Sequence, residues 1–458
     1  MNANNQNSTN WREAQSITKP LETDNLVIGA GPTGLHAART LINLGEIVTV
    51  VDINNQSSLI PEGGITSPVK RHPDINRVLD FGRYYNLRWE KGSSGNLQPS
   101  VAIGGLSNIW GASITTTHFS KLQLEGIFGE YVHQSYEADI KFISEEVRET
   151  SNFLAVAKER CTSTGLCNTI CPNKAIWNAA NELVSIQNDI NLIEGVVSKV
   201  KPKADKWEVY FYGEQSPRYL AKRIYLCAGA LASAMIAMSS EILPGSGFFS
   251  DTQAIFIPVL HAKNKISSKY GVALAQRSFI LRDHGSDSAY FQYYPNVATV
   301  MSEAIDMSPK GTKFLIRILW RIINPYLGFG ILFLAPQISN EIGLVKRGEK
   351  YLLGVRLNTK LKINIRSNLQ KLSSLRKVGL LALTKFAKIR NSGDSFHYGS
   401  FSPTDTTSFE FTDLKEVNGF PSLHFMDSFS LKTVPTGPVT PSILAECEIV
   451  IRNIFGKL

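Results

Sequence analysis

The chain has 458 residues, 43% of them apolar, with a formal charge of +9 and five cysteines. That much apolar sequence buries a large core, and two intertwined domains are expected. Five cysteines, three of them clustered, are too few for a secreted disulfide scaffold. Residues 1–23 form a polar tail rich in Asn, Ser and Thr. It lacks the basic start and apolar core of a signal peptide, so a cytoplasmic location is expected.

After the tail, Asn25 to Ile28 reads as a short strand running into GAGPTG. A helix-like run, LHAARTLINLG, follows, and then a second strand, IVTVVD, ending in Asp52. Gly29, Gly31 and Gly34 fall at the G-x-G-x-x-G spacing, and each has its own task. Gly29 permits the tight turn, Gly31 lets the backbone approach a pyrophosphate, and Gly34 allows close helix–strand packing. The helix N-terminus supplies unpaired N–H groups and a positive dipole end for phosphates. Asp52 suits a ribose diol and would repel a 2′-phosphate. A glycine fingerprint alone is weak, but here strand, loop, helix, strand and acid occur in order, which predicts dinucleotide binding. The loop does not choose between FAD and NAD.

Further along lies GGLSNIWGAS, residues 104–113, a Gly-rich turn. Next comes CTSTGLCNTICP, which places Cys161, Cys167 and Cys171 at C-x5-C-x3-C spacing. Three thiolates so close can converge on an iron–sulfur cluster. A zinc site completed by a remote ligand, a disulfide with a spare thiol, and inert buried thiols are the other readings. GVVSKV and KWEVYFYG alternate and read as a hairpin. RIYLCAGALASAMI reads as a strand ending at a Gly before a helix. The segments AIFIPVL, VALAQRSFIL and SAYFQYYPNVATVM read as strands of a second domain. Tyr290, Phe291, Tyr293 and Tyr294 in the last of these face either the sheet or a substrate.

From Lys313 to Pro336 runs an apolar stretch, and from Lys346 to Arg390 there are thirteen Lys or Arg with one acid, Glu349. Two arginines, Asn324 and Pro325 interrupt the apolar run, making it a poor spanning helix. A buried helix pair with a solvated basic face is expected there, with peripheral contact to an anionic membrane as the alternative. No nucleic-acid motif accompanies the charge, so no nucleic-acid partner is expected.

The chain ends with FHYGSFSP from Phe396, then SLHFMDSFSLKTVPTGPVTPSILAECEIVI. Together with the loop at Gly29, the segment at Gly104 and the strand ending at Ala228-Gly229-Ala230, this ending resembles the glucose–methanol–choline (GMC) oxidoreductases, sugar-dehydrogenase-like branch. The resemblance implies an α/β fold: a discontinuous, Rossmann-like FAD domain of the glutathione-reductase type (24–250 and 394–458) under a sheet-based substrate domain (251–393). By resemblance, Gly104, Gly105, Ser107 and Asn108 lie against the flavin, and Val197 and Ala228 belong to the adenine and helix-start contacts. Asp427 and Thr440 meet the ribityl and pyrophosphate, and His397 faces the flavin N5. Some relatives attach FAD through a His where this chain has Ile109, so non-covalent FAD is implied.

A neutral imidazole at His397 would take the proton of an alcohol as its hydride leaves for N5. The usual second His or Asn of the family is replaced by Thr436 or Gly437, and a Thr hydroxyl hydrogen-bonds a substrate without acting as a base. Some relatives that act on sugars carry a three-iron (3Fe-4S) cluster on a loop spaced like Cys161, Cys167 and Cys171. The expected reaction is FAD-dependent oxidation of a CH–OH group of a sugar or similar alcohol, with electrons passed to an acceptor protein or quinone. An oxidase, an internal redox reaction (isomerisation or desaturation) and a non-catalytic membrane-docking relative are the alternatives.

Overall fold

The computed structural model describes residues 19–53, 86–91, 103–108, 110–115, 119–137, 141–161, 174–261, 274–283, 286–295, 326–390, 398–404 and 410–456. His397, Ile109, Cys167 and Cys171 lie outside them.

Leu26 to Ile28 and Val48 to Val51 are buried apolar runs, the signature of strands covered on both faces. They sit in a seven-stranded sheet of order Ile190–Glu194, Val48–Asp52, Leu21–Ile28, Tyr219–Leu226, Lys206–Phe211, Val197–Lys203. The first four run parallel, and the last two form the expected antiparallel hairpin. The first strand begins at Leu21, inside the sequence expected as polar tail. Tyr219–Leu226 is shared along one edge: Lys206–Phe211 pairs with its first residues and Leu423–Phe425 with its last. The helix Pro32–Asn43 lies on one face and packs against the C-terminal helix Thr440–Ile454. On the other face Ala230–Ser239 is buried along nearly its whole length. Each fully buried aliphatic side chain of this sheet is worth about 1.5–3 kcal/mol over leaving it in water.

An eight-stranded, largely antiparallel sheet forms the second layer. Its order is Leu380–Ala382, Ala254–His261, Leu327–Leu334, Ser286–Tyr294, Arg277–Asp283, Val147–Thr150, Lys141–Ser144, with Lys388–Ile389 also on Ala254–His261. Two of its strands thus come from before residue 250. A third sheet joins Tyr398–Pro403, Ser246–Asp251, Glu341–Arg347, Lys350–Arg356 and Leu87–Trp89. Ile342, Leu344, Tyr351 and Leu353 share one core with Leu26, Ile28 and Ile224, so this stretch packs with the nucleotide layer although it lies within 251–393.

Of the run expected as a buried helix pair, residues 313–325 lie outside the described residues, and the described remainder is corrected by the structure. Leu327–Leu334 is a strand, and the basic stretch supplies a hairpin at 341–356 and only then the helix Leu361–Lys371. The physical reason lies in the alternation of LGFGILFL. Leu332 and Leu334 enter a core with Phe279, Phe291 and Tyr293, while Gly328 and Gly330 lie under the Tyr293 and Phe291 rings. Two glycines at that spacing disfavour a helix and suit a strand that rings approach closely. Among the described residues, no helix is long and apolar enough to cross a membrane.

Candidate active site

The turn after the first strand has a hand set by Gly29, whose φ of 102° favours glycine. A Cβ on Gly34 would sit 1.8 Å from the Gly29 carbonyl oxygen, so helix and turn touch backbone to backbone. Gly31 differs: a Cβ there meets nothing within 4 Å. Gly31 caps the helix Pro32–Asn43 without a side-chain hydrogen bond, and no acid stands in the first turn. An uncapped, acid-free N-terminus facing open space is suited to an anion. Asp52 is buried at the end of its strand, and its Oδ2 accepts the Ala30 N–H at 2.6 Å. Its carboxylate therefore holds the loop as well as lining the space in front of it.

The Gly-rich segment 103–113 docks beside that loop. The Gly104 N–H donates to the Ala30 carbonyl at 2.7 Å. Cβ atoms on Gly104 would strike Asn178 and Ala180, and on Gly105 would press on Gly31 and Pro32. The two glycines thus allow close protein packing, and Gly105 also lines the cavity. Ser107 is buried; its hydroxyl donates to the Gly104 carbonyl and accepts from the Ala179 N–H at 3.0 Å. It ties the segment to the start of the helix Ala179–Ile186. Trp110 is fixed by its indole N–H to the Trp177 carbonyl at 2.9 Å.

The C-terminal strand carries Asp427 to the same place. Its carboxylate is buried and accepts the Ser233 hydroxyl, and the Phe429 N–H at 2.9 Å. Burial pushes its pKa up to about 6, against the downward pull of the Ser233, Phe429 and Gly229 hydrogen bonds. Tyr398, buried beside it, is pushed up by burial and by the Asp427 and Asp251 charges.

Above these elements lies the eight-stranded sheet. Its strand Ser286–Tyr294 alternates: Phe291 and Tyr293 point into the core, while Gln292 and Tyr294 line the cavity. The Tyr294 hydroxyl donates to Gln292 Oε1 at 2.7 Å, and Gln292 Nε2 donates to Ser113 Oγ at 2.7 Å. The Tyr290 hydroxyl bonds Ser278 Oγ at 2.8 Å, and Asn152 joins Ser278, Thr115 and Ser135. This buried polar net crosses from the substrate sheet to the Gly-rich segment and fixes their spacing.

The elements enclose one cavity of about 1030 Å³, running from Gly31 and Asp52 past Asp427 and Tyr398 to Gln292, Phe329 and Phe333. No family model and no curated protein matches the sequence. A solved formate oxidase of Aspergillus oryzae, studied for modification of its FAD, is similar in structure. The TM-score is 0.59 over 95% of this chain and 99% of that one, at 11% identity. The chain shares the α/β fold of that oxidase.

Within this fold the expected residues divide. Gly29, Gly31, Asp52, Gly105, Ser107, Ala228, Asp427 and Thr440 line the cavity. Gly34 and Gly104 stand behind the lining, where no side chain fits. Asn108 lies in the short 3-10 turn Gly105–Asn108. Val197 is buried in its strand and Thr436 is half-buried, and neither is among the lining residues. His397 lies outside the described residues, in sequence between Arg390 and Tyr398, which both line the cavity. His424 is buried, stacked on Tyr225 and 2.9 Å from the Leu414 carbonyl, and burial pushes its pKa down; it is structural. Cys161 is half-buried with a free thiol, while Cys167 and Cys171 are not described. Among the described residues no three His, Cys, Asp or Glu gather as metal ligands. Cys227 and Cys447 are buried as expected for core thiols. Sequence reasoning missed Gln292, Ser113 and Tyr398 as cavity residues. For Gln292 the strand alternation with Tyr294 was the available signal.

Proposed function

We propose that the chain is an FAD-dependent oxidoreductase that oxidises a CH–OH group. The observation that carries this reading is the continuous cavity that joins an open, uncapped helix start at Gly31 to the substrate sheet at Gln292. The residues fit the cofactor: the space at Gly31 admits phosphate, and a buried acid, Asp52, flanks it. Gly31 to Thr33 would hold the phosphates, Asp52 the ribose side and Asp427 the ribityl side. FAD when bound supplies the acceptor for a hydride. Ile109 stands where a covalent His would, so the cofactor is held non-covalently.

The chain's own residues do the rest. Asp427, fixed by the Ser233 hydroxyl and the Phe429 N–H, presents its buried carboxyl to the ribityl side. The substrate sheet excludes water from the reacting centre. His397 takes the hydroxyl proton at its imidazole nitrogen while the carbinol hydrogen leaves as hydride, and a carbonyl compound results. The electrons then pass to an acceptor protein or quinone. Oxygen as acceptor is the second version, favoured by the oxidase among solved neighbours.

The test is a visible spectrum of protein purified without oxygen, followed by addition of alcohols, sugars among them. Flavin bands that bleach with an alcohol, and a His397→Asn variant that bleaches at least about a hundredfold more slowly, are the expected results. Absence of flavin ends the reading. Unchanged bleaching in His397→Asn removes the base and favours an internal redox reaction. Iron absorbance beneath the flavin bands would make Cys161, Cys167 and Cys171 cluster ligands. Rapid reoxidation in air would choose the oxidase.

A further inference from the structure

Between Gln292 and the rim, the central strands of the substrate sheet turn an apolar face to the cavity. In the strand Leu327–Leu334 the odd positions Leu327, Phe329, Ile331 and Phe333 line the cavity, while Leu332 and Leu334 fill the core on the other side. The neighbouring strand sets Pro258, Phe256 and Ala254 opposite Phe329, Ile331 and Phe333. The polar lining side chains on the strand segments 254–258, 292–294 and 327–333 are Gln292 and Tyr294, and these are bonded to each other. Tyr294 stacks flat on Phe329, with ring centroids 4.5 Å apart and planes 6° from parallel. At the rim the lining is mixed: Phe386 is 71% and Ile389 47% exposed, and Lys388 and Arg390 line the cavity beside them.

A sugar presents a hydroxyl on almost every carbon, and each one buried without a partner weakens binding. This roof offers few partners. A hydrocarbon surface needs none and gains affinity by covering Phe329, Ile331 and Phe333. A strand that keeps apolar side chains on both faces is the pattern of one whose second face is also covered.

Resting on the function proposed above, we infer that the donor is an apolar alcohol, its hydroxyl at the inner, Gln292 end and its hydrocarbon body along Phe329, Ile331 and Phe333. The carbinol carbon gives up its hydrogen as hydride and the hydroxyl its proton. The product is the corresponding apolar carbonyl compound, and the electron pair leaves by the acceptor named above.

The experiment uses flavin-loaded protein reduced without oxygen, which cannot take a hydride, so that binding is read without turnover. Calorimetry follows the straight-chain alcohols from butanol to dodecanol, with glucose alongside. Dissociation constants falling about fourfold per added methylene, with glucose binding undetected, are expected. A flat series, or glucose bound more tightly than octanol, overturns the inference. Ile331→Gln should weaken decanol binding at least tenfold and leave the circular dichroism unchanged. Should that variant misfold, Phe386→Ser at the exposed rim tests the same surface, with a loss confined to the longest alcohols. Protein that carries flavin and is bleached by glucose, yet binds no alkyl alcohol, refutes this inference and spares the oxidoreductase. Protein with no flavin refutes the oxidoreductase, and the alcohol series on that chain still reads the roof.

Discussion

The two ends of the cavity use glycine in different ways. At the nucleotide end, Gly34 is hemmed in by the backbone of Gly29, and Gly29 by the backbone of Cys227. At the substrate end, Gly330 and Gly328 are hemmed in mainly by the Phe291 and Tyr293 side chains. Backbone cannot step aside, so Gly29 and Gly34 each tolerate one residue type and leave a motif in the sequence. Rings repack against changed neighbours at moderate cost, so the second end is free to change its lining. One end is written in residue identity and the other in alternation.

The sharpest way to break this comparison is Gly34→Ala. Its methyl would sit on the Gly29 carbonyl oxygen, and a loss of more than about 3 kcal/mol is expected, read as collapse of the thermal transition. A variant as stable as the parent would mean the turn is softer than the packing indicates.

Next in size is a pH effect at Asp427. Burial raises its pKa to about 6 in the folded chain, so folding favours its protonated form. Its stabilisation is complete below the unfolded value near 4 and is lost as pH rises through about 6, roughly 3 kcal/mol in all. Denaturant melts of flavin-free protein should show this loss between pH 4 and 6, and Asp427→Asn should flatten it. An equal slope in the variant would place the titration elsewhere.

Gly330→Ala should then cost about 1–3 kcal/mol as the Phe291 ring shifts, less than Gly34→Ala because a side chain yields. The smallest structural effect is expected at Gly31→Ala, where a Cβ meets nothing. Its melting temperature should match the parent while flavin affinity falls about tenfold, about 1.4 kcal/mol. A stable variant with unchanged flavin binding would move the cofactor away from Gly31.

What the sequence made legible follows the same division. The strand end at 25–28, the Gly loop, Asp52, the hairpin at 197–211 and the strand–Gly–helix unit near Gly229 could all be read, because local backbone needs fix their residues; the strand's start at Leu21 was hidden in the polar tail. The antiparallel strands at 254–261 and 286–294 were legible from apolar runs and alternation. The described end of the apolar run, Leu327–Leu334, was misread as helix because both faces are apolar, and an apolar run without polar alternation does not tell strand from helix. The Ser113–Gln292 and Asn152–Ser278 contacts span 179 and 126 residues. No local pattern announces polar partners so far apart. Gly104 and Gly105 were recognised as special, and the close packing they allow against Asn178, Ala180 and the nucleotide loop was not foreseen.

The edge shared by Lys206–Phe211 and Leu423–Phe425 along Tyr219–Leu226 has a bearing on how the chain is made. The upper half of that edge stays unpaired until residue 425 has left the ribosome, and the packing helix Thr440–Ile454 arrives later still. The nascent chain therefore carries an exposed, parallel-pairing strand end through half of its synthesis, with its neighbours close by in space and two hundred residues away in sequence. Such late, long-range closure makes for slow folding and a window in which the bare edge can pair with another chain. Expression yield should consequently respond to temperature and chaperone supply more strongly than the stability of the finished protein would indicate.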